Sequence, residues 1–116
     1  MRIAAKKKEK IIVMKFGGTS VSTAEKILKV RDYLKVSQRK GVKIIVVVSA
    51  MGDETNELLE LAREIDEHPD PQELDKLLST GEIRTAALLA IALKKIGIKA
   101  RSVGADQIGL ETTPKF

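Results

Sequence analysis

The sequence predicts an α/β fold, a three-layer sandwich in which helices cover a mostly parallel sheet. Two observations carry this. Ile11 to Phe16 and Lys43 to Ser49 are short β-branched apolar runs without polar alternation, the pattern of strands covered on both faces. A segment with helical period follows each of them, as a right-handed βαβ crossover requires. The element order reads β-α-β-α-α-β with a loop-like end.

The elements justify themselves in turn. Ser22-Thr23-Ala24-Glu25 is a capping-box sequence after the first strand. Ala24, Ile27, Leu28 and Leu34 then share a helical face, and Gly41 closes the segment. A second helix is predicted over 54–65, with Leu58, Leu59, Leu61, Ala62 and Ile65 on its buried side. Asp70, Pro71 and Glu73 supply an N-cap, a first-turn proline and the acid of a capping box. The helical pattern runs from Glu73 to Ile96, interrupted at Gly81, with Lys94 and Lys95 in its last turn and Gly97 after it. Ala86 to Leu93 is apolar nearly all round, which predicts deep burial. Ile98 to Val103 alternates apolar with polar residues, the pattern of a strand with one wetter face.

Composition narrows the function classes. A chain of 116 residues makes one domain. It has no cysteine, which excludes disulfide and thiolate chemistry and agrees with a cytoplasmic location. No apolar run approaches the length of a membrane span, and the basic start lacks the apolar core of a signal peptide. The net charge of +5 is concentrated in residues 1–10, where Arg2, Lys6, Lys7, Lys8 and Lys10 stand against Glu9. The rest, 11–116, is close to neutral, so the basicity is a solvated tail. With Phe16, Tyr33 and Phe116 as the only aromatics, a nucleic-acid stacking platform is not expected. His68 reads as a solvated loop residue.

In open α/β sheets ligands sit beyond the carboxyl ends of the strands. Two turns leave those ends here, Gly17–Ser20 and Ala50–Thr55. Gly17 and Gly18 allow close approach of backbone N–H groups, the following helix adds its positive end, and Lys15 adds a full charge; together they suit phosphate oxygens. The sequence is not a Walker A loop, and a tight turn with a snorkelling lysine is the plainer alternative. In the second turn, Ser49, Gly52, Thr55 and Asn56 offer polar groups, although helix capping by Asp53 or Thr55 accounts for that pattern equally. Glu82, after Ser79-Thr80-Gly81, either faces water or holds a ligand's amino group. No metal-ligand set is read from the sequence.

Three segments taken together, VMKFGGTSVS, VVVSAMGDETNELLELA and ELDKLLSTGEIRTAALLAIAL, closely resemble the start of the aspartate kinases, within the amino acid kinase family. They cover about residues 11–97. The resemblance implies phosphoryl transfer from Mg-ATP to the side-chain carboxylate of L-aspartate, the first step towards lysine, threonine and methionine. It implies that Lys15 neutralises the transferring phosphoryl group, that Gly17, Gly18, Thr19 and Ser20 meet the phosphates, that Ser49, Ala50 and Thr55 line the aspartate site, and that Glu82 meets the aspartate amino group. Ligands for Mg²⁺ are not identified. Within 103–113, Gln107, Gly109 and Thr112 fit the family's usual continuation, whereas its threonine-glycine pair and final aspartate have no counterpart. Nothing after Phe116 supplies the family's nucleotide half, so the expectation is an acceptor-binding half-site, inactive alone, that works as a homo-oligomer or with a missing C-terminal half. The alternatives are an amino acid kinase of different substrate and a non-catalytic module binding an amino acid or anion.

Overall fold

A computed structural model describes residues 8–113. Residues 1–7, most of the expected basic tail, lie outside the described residues, as does Phe116. Strand β1 (Lys10–Phe16) pairs in parallel with β2 (Val42–Val48), in register from Lys10 opposite Val42 to Phe16 opposite Val48. Ahead of β1, Glu9 pairs with Lys43 at 3.0 Å. A parallel pair needs a crossover, and helix α1 (Ala24–Ser37) provides it. Helices α2 (Glu54–Ile65) and α3 (Pro71–Lys95) follow.

The core lies between α1, α3 and one face of the sheet. Ile27, Val30 and Leu34 of α1 bury against Leu89, Ala92 and Leu93 of α3, with Val21 fully enclosed. Met14, Phe16, Ile44, Val46 and Val48 pack onto this cluster from the strands. The α/β class therefore holds. Among the described residues one helical layer covers the sheet, and the second layer expected from the strand pattern is not among them. The opposite face is open: Ile11 and Val13 of β1 and Ile45 and Val47 of β2 are 61%, 62%, 52% and 44% exposed. The strands read as covered on both faces because their apolar content fits two coverings.

The helix boundaries are capped much as the sequence implies. The Asp70 side chain accepts from the backbone N–H of Glu73 at 3.0 Å, with Pro71 in the first turn. The end of α3 is a full Schellman closure: Gly97, at φ +82°, donates to the Lys94 carbonyl and Ile98 to that of Leu93. The start of α1 differs. A 3-10 turn, Gly18–Val21, precedes it, and Thr23 rather than Ser22 caps it, accepting from the Lys26 N–H at 3.2 Å. Ser22 is drawn into the preceding turn, where its hydroxyl donates to the Thr19 carbonyl at 3.1 Å.

Four further expectations are corrected. Residues 98–103 form no strand; Ile98 and Ala100 anchor on the core, and a cleft of about 810 Å³ separates the segment from β2. Alternation reported half-burial of an extended chain, not a hydrogen-bonded ladder. The second half of α3 is buried on one side only, leaving Leu88 and Ile91 exposed. In α1, Val30 takes the buried place expected of Leu28 and Ala24, which face outwards. In α2 no residue is fully buried, and Leu61 and Ile65 are exposed, because α2 packs mainly along α3. No helix of the described residues is long and apolar enough to cross a membrane.

An uncovered apolar sheet face favours association. The 116-residue chain should self-associate at high concentration in light scattering. Val13→Thr with Ile45→Thr should shift it towards monomer while changing stability by only about 0.5 kcal/mol, as for exposed substitutions. A monodisperse unsubstituted monomer would contradict this.

Candidate functional site

Both turns that follow the strands emerge at one end of the sheet, because parallel strands end together. They are also bonded to each other. The Ser49 N–H donates to the Phe16 carbonyl at 3.2 Å, extending the ladder by a step, and the Gly52 N–H donates to the Gly18 carbonyl at 3.1 Å. This approach requires a glycine at 18: a Cβ there would stand 2.9 Å from the Ala50 carbonyl oxygen. Gly52 sits at φ +52°, a conformation that favours glycine.

Within the first turn, the Ser20 N–H donates to the Gly17 carbonyl at 3.0 Å, so that amide is engaged within the chain. A Cβ on Gly17 would meet nothing within 4 Å, which leaves open space beside the backbone. The Thr19 carbonyl accepts from both the Ser22 hydroxyl and the Lys26 ammonium, the latter at 3.0 Å. Lys26 is thus a pin on the glycine turn that the sequence reading missed; its only signal was a basic residue in the first turn of α1. The positive end of α1 was expected beside the glycines. It lies beyond the 3-10 turn instead.

Lys15 occupies the last turn-ward position of β1 on the open sheet face, opposite Val47 in register and exposed. It is not drawn into a packed interior. Thr19 and Ser20 line a groove of about 500 Å³ with Phe16, Lys26, Lys29 and Tyr33. Lys15, Gly17 and Gly18 line neither this groove nor the larger cleft beside β2. Neither groove is the concavity expected around them.

The second turn is sealed against α3. Ala50 is buried, and a Cβ on Gly81 would lie 2.8 Å from the Ala50 Cβ. Gly81 therefore does not interrupt α3, which runs through it; the glycine lets the turn lie against the helix. One turn on, Thr85 is completely enclosed and its hydroxyl donates to the Gly81 carbonyl at 3.1 Å.

This contact gathers the other candidates. Thr55 is one residue from Glu54, whose carboxylate reaches Gly81, and Glu82 follows Gly81. Thr55 and Glu82 thus come from touching segments at the same end of the sheet. Both side chains are exposed, and among the described residues no hydrogen bond or ion pair engages the Glu82 carboxylate. Ser49 is half-buried on the ladder extension. Glu54 is the residue that sequence reasoning missed altogether: its side chain is 13% exposed and meets Arg84 at 2.6 Å. A partner 30 positions away leaves no local signature. No group of three or more His, Cys, Asp or Glu that could hold a metal converges among the described residues. In the last segment, the Gln107 side-chain oxygen accepts from the Gly104 N–H at 2.7 Å, closing its own loop.

Comparison with known proteins gives consistent matches. The model of the amino acid kinase family matches residues 10–115. An aspartokinase of Bacillus sp. (strain MGA3) is 47% identical over 106 residues, 91% of this chain and 26% of that protein. An aspartate kinase of Stutzerimonas stutzeri (strain A1501) is 51% identical over 102 residues, 88% of this chain and 25% of that protein. The crystal structure of aspartate kinase from Synechocystis superposes with a TM-score of 0.77 at 48% identity, covering 82% of this chain and 16% of that one. The chain thus spans about a quarter of the length of these curated relatives.

The crossing of the two turns predicts the effect of Gly18→Ala. The added methyl must displace backbone at Ala50, which should destabilise the chain by about 1–3 kcal/mol, the range for overpacking. Gly17→Ala, facing open space, should cost far less. Equal thermal unfolding midpoints for the two variants would contradict the bonded-turn geometry.

Proposed function

This chain belongs to the amino acid kinase family, and from that premise we propose that it forms the acceptor-binding and phosphate-holding part of an aspartate kinase. The reaction is phosphoryl transfer from ATP to the side-chain carboxylate of L-aspartate, the opening step towards lysine, threonine and methionine, in the cytoplasm. The observation that supports this most is the bonding of the two glycine turns to each other and against Gly81. It draws Lys15, Ser49, Ala50, Thr55 and Glu82 to one end of a parallel sheet.

The chemistry asks for what these residues offer. A carboxylate oxygen forms a bond to the γ-phosphorus as the bond to the bridging oxygen of ADP breaks. The acceptor is already ionised, so no strong base is needed. The barrier is repulsion between two anions and the cost of holding them in line. Lys15 would screen the transferring phosphoryl group. Gly17 and Gly18, with Thr19 and Ser20, would let phosphate oxygens approach the backbone. Ser49, Ala50 and Thr55 would shape the acceptor pocket, and Glu82 would pair with the aspartate ammonium. Mg²⁺ has no ligand set among the described residues; when bound it would add charge screening at the phosphates.

Aspartate binding tests the reading. In calorimetry, Glu82→Ala should weaken L-aspartate by about 1.5–3 kcal/mol, the range for a hydrogen bond to a charged group. A sealed charge pair would lose more, but this carboxylate is exposed. Aspartate affinity unaltered by the substitution would refute the assignment.

Turnover gives a separate expectation. The 116-residue chain alone should release no ADP at an enzyme-like rate in a coupled assay with ATP and aspartate, because alignment of the nucleotide contributes several kcal/mol of the rate enhancement. Aspartate-dependent turnover that Lys15→Ala abolishes would show instead that the chain builds a complete site.

A further inference from the structure

We propose that Glu54 and Arg84 act as a positioning pair that fixes the spacing of α2 and α3 and so the geometry of the aspartate pocket; this rests on the aspartate reading above. Glu54 is the first residue of α2 and directly precedes Thr55. Arg84 lies two residues after Glu82 in α3. Its Nη1 donates to Glu54 Oε1 at 2.6 Å, and its Nη2 lies 3.7 Å from Met51 Sδ. One guanidinium therefore holds both the second turn and the start of α2, and the link spans the two segments that carry the candidate acceptor contacts.

The pair is a poor device for stability. The Glu54 side chain is 13% exposed, whereas Arg84 is 58% exposed. Glu54 Oε2 is buried and has no hydrogen-bond partner among the described residues. It lies over Gly81, where a Cβ would stand 3.5 Å away. Taking a carboxylate out of water while leaving one oxygen unmatched carries a desolvation penalty that a half-exposed partner only partly offsets. An apolar side chain would fill the same place at lower cost. What an apolar contact lacks is direction: a short charged hydrogen bond sets both the distance and the orientation of the helices it joins. Glycine at 81 gives α3 no side chain to set that spacing, so the pair supplies it. Fixing α2 against α3 fixes Thr55 relative to Glu82, which the backbone bonds between the turns alone do not do, since they involve neither residue.

The test is calorimetry of the 116-residue chain with L-aspartate and, separately, inorganic phosphate, with thermal unfolding recorded for each variant. Arg84→Ala and Glu54→Gln should each weaken aspartate about tenfold, and the double variant should be no worse than either alone, as for residues acting as one unit. Arg84→Lys should recover most of the affinity. Phosphate binding should stay unchanged throughout. Aspartate affinity kept by Arg84→Ala, or aspartate and phosphate weakened in parallel with a lowered unfolding midpoint, would overturn the positioning role. Loss of aspartate binding in Glu82→Ala but not in the Arg84 and Glu54 variants would overturn the pair and leave the aspartate reading standing. No aspartate binding by the unsubstituted chain would overturn both.

Discussion

The parallel pairing of β1 and β2 is the constraint on which the rest depends. Because the strands run the same way, the chain must cross over, and α1 exists to make that crossing. Because they end together, their two exits meet. The meeting is made permanent by two backbone hydrogen bonds, Ser49 to Phe16 and Gly52 to Gly18. An antiparallel pair would have sent the glycine turn and the Ser49–Gly52 turn to opposite ends, and no choice of side chains could then have brought them together.

The third element is added by close approach rather than by pairing. Ala50 is buried against α3 where Gly81 leaves no side chain. A glycine within a helix costs about 1 kcal/mol against alanine, and here it removes a collision at 2.8 Å. Small residues at both sides of the contact let a turn and a helix share the space of one side chain. Thr85 closes the layer beneath them without presenting a free polar group, since its hydroxyl is spent on the Gly81 carbonyl.

What the sequence made legible follows from range. Both strands, α2 and the capped start of α3 were readable because apolar runs, Asp70 and Pro71 act within a few residues of themselves. The glycine turns were readable for the same reason. The start of α1 was off by one residue because Ser22 and Thr23 are both competent caps, and only the 3-10 turn decides between them. Residues 98–103 misled because alternation records which side chains are half-buried and says nothing of whether an edge is within bonding reach. Apolar content misled in α3 for a related reason: Leu88 and Ile91 report a hydrophobic environment that the described residues do not themselves provide. Glu54 with Arg84 and Lys26 with Thr19 were invisible as pairs, since each depends on how the chain returns on itself.

Lys15 shares its sheet face with Val13 and lies opposite Val47, and that face is open. Its ammonium is therefore in water, where a unit charge acts weakly on its neighbours. Whatever covers those valines also takes water from around the lysine and deepens its field at the strand end. Shelter and charge are thus one variable: the apolar face acts as a dielectric control on the lysine. A substitution at Ile11 would then be felt first as a change in the lysine's field and only secondarily as looser packing.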